Sequence, residues 1–350
     1  MIQKKLIVLL FLTSLLGFSQ KEKQYDIRTV AFYNVENLFD TINDTTKKDE
    51  YSPMMKLKSN RSEVYWDKIN KLADVISQIG AEKTNNSPVV LGVSEVENLA
   101  VLQDLVKTEK LLEKRYGIVH FDSPDARGID VALLYQPEYF APTDFDVFNP
   151  NIYVDNKKIL TRDILWVEGN LGDEKVHFIV NHWPSRRGGE EKSRPSRERA
   201  AFRVTQVIEK IKANDKNAKI IIMGDFNDDP TNSSFKEVLQ TEATIENLNK
   251  DAIYNPYENM FKEGMSSLGY KDRFNLFDQI LISTPLINKG KENNFSGYKM
   301  FKAGVFNKSF LTQKSGSRKG YPFRSFVKGK YTGGYSDHYP VYMYLIKEHK

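Results

Sequence analysis

Residues 219–228 (KIIIMGDFND) constrain the rest of the chain more than any other stretch. Residues 220–223 form an apolar, largely β-branched run with no polar interruption, the pattern of a buried strand. Gly224 is expected to end that strand with a sharp turn. Asp225, Phe226, Asn227 and Asp228 then stand on its C-terminal lip, where α/β proteins receive ligands. If the extended conformation continues, Asp225 and Asn227 project one way and Phe226 is buried on the other side. Such a lip offers a carboxylate that takes a proton or a metal, and an amide that donates to an oxyanion. Asp, Asn and Gly are also ordinary turn residues, so the reading depends on whether the pattern recurs.

It does recur. The apolar run 27–33 leads into Asn34-Val35-Glu36-Asn37, and 88–93 into Ser94-Glu95-Val96-Glu97-Asn98. The run 176–180 leads into Asn181-His182-Trp183-Pro184. Asp278 interrupts a strand within 274–282, and Ser336-Asp337-His338 opens the last strand. Residues 116–121 and 129–135 are expected to pair as neighbouring strands. Amphipathic or charged stretches predict helices over 61–80, 99–114 and 197–212, with a charged loop over 185–196 and a short capped helix over 231–239. Helices alternate with strands, but some strands follow one another directly, so mixed sheets are expected. No linker or tandem repeat divides the chain, which predicts one domain, residues 20–350, with a single cleft.

Residues 1–19 carry Lys4 and Lys5, an apolar run over 6–16 and the small residues Gly17 and Ser19. That is the pattern of a secretory signal peptide, too short to span a membrane. Export to a periplasm or beyond is expected, with no stable membrane anchor. The chain has no cysteine, and its 350 residues bury a sizeable core without disulfides. The formal net charge is +5, and removing Lys4 and Lys5 leaves 5 − 2 = +3, which does not by itself indicate nucleic acid.

An unpaired carboxylate at a strand end is expensive to bury. A hard divalent cation such as Mg2+ would satisfy Glu95, with Glu36 and Asp337 as companions; a salt bridge to Lys or Arg is the alternative. His182 and His338 each sit beside an Asn or Asp at a strand end. A histidine oriented by an acid donates to a phosphate oxygen or moves a proton, and Asp278 is placed to orient one of them. His177 is expected to face solvent. No zinc-ligand spacing surrounds His338, and no G-x-S-x-G elbow or P-loop is present.

Tyr33-Asn34-Val35-Glu36-Asn37-Leu38, Ser94-Glu95-Val96, Asn181-His182, Gly224-Asp225-Phe226-Asn227 and Ser336-Asp337-His338 occur in one order, each at the end of an apolar strand. Together they resemble the endonuclease/exonuclease/phosphatase superfamily, which includes deoxyribonuclease I, over essentially the whole mature chain. The resemblance implies a four-layer α/β sandwich, with two mixed β-sheets packed face to face and helices outside. It also implies metal-dependent phosphoester hydrolysis. Glu95 would hold Mg2+ (Mn2+ and Ca2+ being alternatives), with Asn34 and Glu36 beside it and Asp337 nearby. Asp225 would orient or deprotonate the attacking water, and Asn227 and His182 would hold the non-bridging phosphate oxygens. His338, oriented by Asp278, would stabilise charge in the transition state. Asp122 is a loose match for a carboxylate partner of His182, and Arg127 and Arg162 are candidate substrate contacts.

The resemblance leaves the substrate open. Arg186 and Arg187 follow His182 closely and suit a phosphate-rich ligand. Residues 299–331 contain nine Lys or Arg and no Asp or Glu, interleaved with Phe301, Phe306, Phe310, Tyr321, Phe323 and Phe326. That segment reads either as a track for nucleic acid or as a solvated loop whose aromatics return to the core. The expectation is an exported nuclease or phosphodiesterase cleaving nucleic acid. The alternative is a phosphatase or phospholipase acting on small phosphoesters or lipid headgroups. A fold that has lost catalysis is disfavoured, because Glu95, His182, Asp225, Asn227, Asp337 and His338 are all present.

Overall fold

The computed structural model describes residues 23–246, 248–288 and 294–349; the expected signal segment 1–19 lies outside the described residues. Two sheets carry the chain. From edge to edge the first runs Lys299–Val305, Val341–Glu348, Tyr25–Leu38, Val90–Val96, Asp130–Tyr135 and Gly117–His120. The second runs Thr241–Glu242, Ile253–Tyr254, Asp278–Ser283, Lys219–Asp225, Glu174–His182, Ile164–Leu171 and Phe140–Phe148. Both are mixed. Tyr25–Leu38 is parallel to Val90–Val96, and Lys219–Asp225 to Glu174–His182, while the strands flanking each pair run antiparallel.

The β-branched runs explain why the sheets pack face to face. Val30, Phe32, Val90 and Leu133 from the first meet Phe178, Val180, Ile221 and Met223 from the second in one buried core. The opposite faces are covered by helices. Arg61–Gln78 and Leu99–Val106 bury Tyr65, Ile69, Leu72, Ile76 and Leu102 against the first sheet. Glu190–Asn214 buries Ala201, Val204 and Ile208 against the second. The result is the expected four-layer sandwich.

Four local expectations change. Residues 99–114 split into Leu99–Val106 and a 3-10 turn, Leu112–Lys114. The third helix begins at Glu190, within the expected charged loop. Glu190 and Glu191 in its first turn suit the positive end of the helix dipole, and Arg197 donates back to the Glu190 carbonyl and to Ser193 Oγ. The expected helix over 231–239 is a π-helical turn, Ser234–Val238, tied by Ser234 Oγ to Asp228. Gly224 does not end its strand; it lies inside Lys219–Asp225 because the neighbouring strand presses on it. A Cβ there would stand 2.4 Å from the Asn181 carbonyl oxygen.

Candidate active site

The carboxyl ends of the parallel pairs meet across the two sheets. Asn34, from the first, donates Nδ2 to Asp225 Oδ2 of the second at 3.0 Å. Each lip leaves the extended conformation abruptly: Glu36, Asn37, Glu95 and Asn227 have φ of +49°, +48°, +62° and +52°. A non-glycine residue there costs on the order of 1–3 kcal/mol and persists only where its surroundings hold it. Short side-chain bonds do the holding. Asn34 Oδ1 accepts from the Glu36 amide, Glu95 Oε2 from the Asn37 amide and Asp225 Oδ1 from the Asn227 amide, at 2.9, 2.9 and 3.0 Å. The Asn227 turn corrects the expected alternation. Asn227 Nδ2 donates to the Trp183 carbonyl at 3.0 Å instead of projecting alongside Asp225. Phe226 is buried, as expected, against Trp183 and Phe235.

Asp225 is the hub. In register it faces Asp278 on one neighbouring strand and His182 on the other. His182 Nε2 lies 3.6 Å and His338 Nε2 3.9 Å from Asp225 Oδ2. His338 Nδ1 meets Asp278 Oδ2 at 2.6 Å, with Asp278 fully buried. Burial raises the Asp225 carboxyl to about 7; His338 opposes that rise and Asp278 adds to it. Burial also works against a charged His338, but Asp278 and Asp225 outweigh it and hold the ring protonated well above its ordinary range. His182 goes the other way: burial, then Arg162 and Arg127, hold it well below. Two histidines therefore flank one carboxylate in opposite protonation states, the arrangement that divides acid and base roles.

Beside this hub lies an acidic pocket. Glu95 Oε1 has His182 Nε2 at 3.9 Å, and Glu95 is partly exposed. Glu36 is buried, and its carboxylate accepts from the Ser325 amide at 2.6 Å and from Arg324 Nε at 3.3 Å. Arg324 Nη2 also donates to Asp337 at 2.7 Å. Lys68, buried on the Arg61–Gln78 helix, donates to the Val35 carbonyl and Ser325 Oγ at 2.9 and 2.6 Å. Burial and then Asp337 raise Glu36 to about 7, with Lys68 and Arg324 opposing. Burial lowers Lys68 to about 8 against the pull of Glu36, Asp337 and Glu95.

A hard divalent cation fits here at Glu95. That carboxylate turns one oxygen towards the cleft, and such an ion needs only one or two carboxylates plus water and substrate oxygens. The companions are corrected. Both Glu36 oxygens are occupied by Ser325 and Arg324, and Asp337 is paired to Arg324, so these acids shape the field around Glu95 while held by a cation of the chain itself. Asn34 is spent on Asp225 and Glu36. Sequence reasoning missed Lys68 and Arg324. Lys68 had a signal, since it falls on the apolar stripe with Tyr65, Ile69 and Leu72.

The arginines divide. Arg162 is buried and donates to Asp125, the His182 carbonyl and the Trp183 carbonyl; it positions the histidine loop and is not a substrate contact. Arg186 is spent inside too, on the Asn227 carbonyl, Asp228, Asp229, Asn232 and Glu190. Arg127 and Arg187 are exposed, and Arg127 lies near enough to act on His182. Asp122 is not the partner of His182, whose Nδ1 is buried with no hydrogen-bond partner among the described residues. His177 does not face solvent; it is buried and stacked on Trp166. Phe306 and Phe326 of the basic segment are buried and Phe310 packs on the same core, so those aromatics return to the interior.

A four-layer α/β sandwich whose cleft joins carboxylates and histidines is the frame of metal-dependent phosphoester hydrolases. The model of the endonuclease/exonuclease/phosphatase family matches residues 29–347, and the chain belongs to that family. Solved structures share the fold. A family member from Bacteroides thetaiotaomicron superposes with a TM-score of 0.56 at 18% identity, over 93% of this chain and 96% of its own. A mannosyl-6-phosphatase from the same organism gives 0.54 at 17%, over 91% and 99%. A humanized D. rerio TDP2 gives 0.54 at 14%, over 91% and 98%. A comparison with curated protein sequences returned no match.

Proposed function

We propose that residues 20–350 form one exported, Mg2+-dependent phosphodiesterase domain that cleaves nucleic-acid backbones by direct attack of water. The observation that carries the chemistry is Asp225 between a neutral His182 and a charged His338. Asp225 takes the proton of the attacking water; its carboxyl, raised to about 7, is matched to that task near neutral pH. His182 lends its Nε2 hydrogen to a non-bridging phosphate oxygen, because the neutral ring faces the carboxylates of Asp225 and Glu95 through Nε2. His338, held by Asp278, places a positive charge where negative charge builds. Mg2+ at Glu95, when bound, supplies Lewis-acid stabilisation of the same charge. Export is read from residues 1–19.

The nucleic-acid reading is supported by a hairpin at the cleft. Leu268–Tyr270 and Arg273–Asn275 pair antiparallel, and Leu268 bridges to His338. On it Tyr270 and Phe274 are 63% and 49% exposed beside Lys271 and Arg273, which suits bases stacked next to a charged backbone. A D. rerio TDP2 of the same fold is solved with a single strand DNA product. A second reading, a phosphatase for a phosphosugar, is favoured by the internal use of Arg162 and Arg186, which leaves fewer cations for a long polyanion.

The test gives the mature chain with Mg2+ single-stranded DNA, supercoiled plasmid, bis(p-nitrophenyl) phosphate and mannose 6-phosphate. DNA cleavage whose KM rises roughly 5- to 100-fold in Tyr270→Ala/Phe274→Ala, with small-diester turnover unchanged, supports the reading. Intact DNA with rapid release of phosphate from the sugar would replace it by the second.

A further inference from the structure

A cavity of about 190 Å3 lies between the loop that follows Asn37, the turn at Glu97 and Asn98, and the loop 122–130. Asp44, Asp49, Glu97, Asp122 and Asp130 line it, and Lys47 is its basic residue. None of Glu95, His182, Asp225 or His338 borders it. Asp49 is 1% and Glu97 8% exposed. Asp49 Oδ2 accepts from the Asp44 amide at 2.8 Å, but Oδ1 is buried with no hydrogen-bond partner among the described residues. Glu97 Oε2 accepts from the Asp40 amide at 2.7 Å, and its carboxyl lies against that of Asp49. Lys47 does not relieve the pair, because its ammonium donates to the Ser123 carbonyl. Asp130 has both oxygens in use, one on the Ser123 amide and one on His120.

Two buried carboxyls pressed together, one with an orphaned oxygen, must share a proton or hold a cation. We propose that the cavity is a second cation site, for Ca2+, separate from the site at Glu95, with Asp49 and Glu97 as inner ligands and Asp44 and Asp122 at its mouth. Ca2+ suits it better than Mg2+. The oxygens come from three separate loops, the cavity has room for water, and Ca2+ accepts six to eight oxygens in irregular geometry, whereas Mg2+ demands a near-ideal octahedron. A cation here clamps the loops that leave Asn37 and Glu95 to the loop that carries Arg127, so it braces the catalytic cleft without entering it.

The test uses the full mature chain carrying Glu95→Gln, which silences the catalytic metal site, titrated with CaCl2 by calorimetry. The proposal requires uptake of one equivalent, a rise in Tm with millimolar CaCl2, and loss of both in the added Asp49→Asn variant, with affinity lowered at least about tenfold. If Asp49→Asn does not fold by circular dichroism, the exposed pair Asp44→Asn/Asp122→Asn reads the same site and must weaken uptake measurably. Absence of uptake in the Glu95→Gln chain overturns the proposal and leaves Asp49 and Glu97 sharing a proton. Uptake that the folded variants do not alter overturns it equally.

Discussion

Asp278 Oδ2 lies 2.6 Å from His338 Nδ1, while the other nitrogen of the same ring points at Asp225 Oδ2, 3.9 Å away. One buried acid thus sets the protonation of both groups that flank the water and phosphate. Asp225 must be ionised to act, so the rate falls as pH drops through about 7. His338 must be protonated, so the rate falls again above its raised pKa. Asp278 raises the proton affinity of both groups. Asp278→Asn should therefore move both limbs of the pH–rate profile to lower pH and reduce kcat by about 10²–10⁴-fold. Limbs that stay in place would remove Asp278 from this role.

Arg324 joins Glu36 to Asp337 beside Glu95. It neutralises two acids that could otherwise serve a metal. Arg324→Met should lower the Mg2+ concentration for half-maximal binding, read by calorimetry, while Glu95→Gln should raise it by at least about tenfold. Chelation with EDTA should abolish turnover, and Mg2+ should restore it. Weaker Mg2+ binding in Arg324→Met would show that the guanidinium organises the site and does not compete for it.

Arg162 and Arg127 were equivalent candidates in sequence and are not equivalent in the fold. Arg162→Met leaves the buried Asp125 without its closest partner and strips donors from the His182 and Trp183 carbonyls. The expected cost is about 3–5 kcal/mol of stability by denaturant unfolding. Arg127 is exposed, so Arg127→Ala should raise KM for a polyanion and leave the unfolding midpoint unchanged. Equal stability of the two variants would contradict the division.

What was legible in the sequence follows from where the information lies. Apolar β-branched runs announce strands, and a carboxylate or histidine at the end of such a run is costly enough to need a reason. Asn34, Glu95, His182, Asp225, Asp278 and His338 were found that way, and the hydrogen bonds joining them run between the strand ends. What an arginine faces is decided by tertiary packing, so Arg162 and Arg186 looked like substrate contacts until the carbonyls and acids they serve were in place. The aromatics of the basic segment were undecided for the same reason; Phe306 and Phe326 turn inward because the adjoining strand delivers them to the core. Lys68 and Arg197 were readable in principle. Each falls on the apolar stripe of its helix, where a buried cation must have partners.

Gly224 has a role that turn chemistry does not describe. Its missing Cβ makes room for the Asn181 backbone, 2.4 Å from where that atom would stand. Gly224→Ala must push the two parallel strands apart one residue before Asp225. The variant should lose about 1–3 kcal/mol of stability and a larger share of turnover than that loss explains at a temperature where it remains folded. Wild-type turnover in a folded Gly224→Ala chain would mean that Asp225 tolerates displacement.

The most direct test of the central claim is hydrolysis of bis(p-nitrophenyl) phosphate by the mature chain with Mg2+, set beside Asp225→Asn and His338→Ala, each checked for folding by circular dichroism. The account predicts turnover that EDTA abolishes and that each substitution reduces by at least about 10²-fold. Turnover that survives both substitutions in folded protein would place the chemistry elsewhere on the molecule.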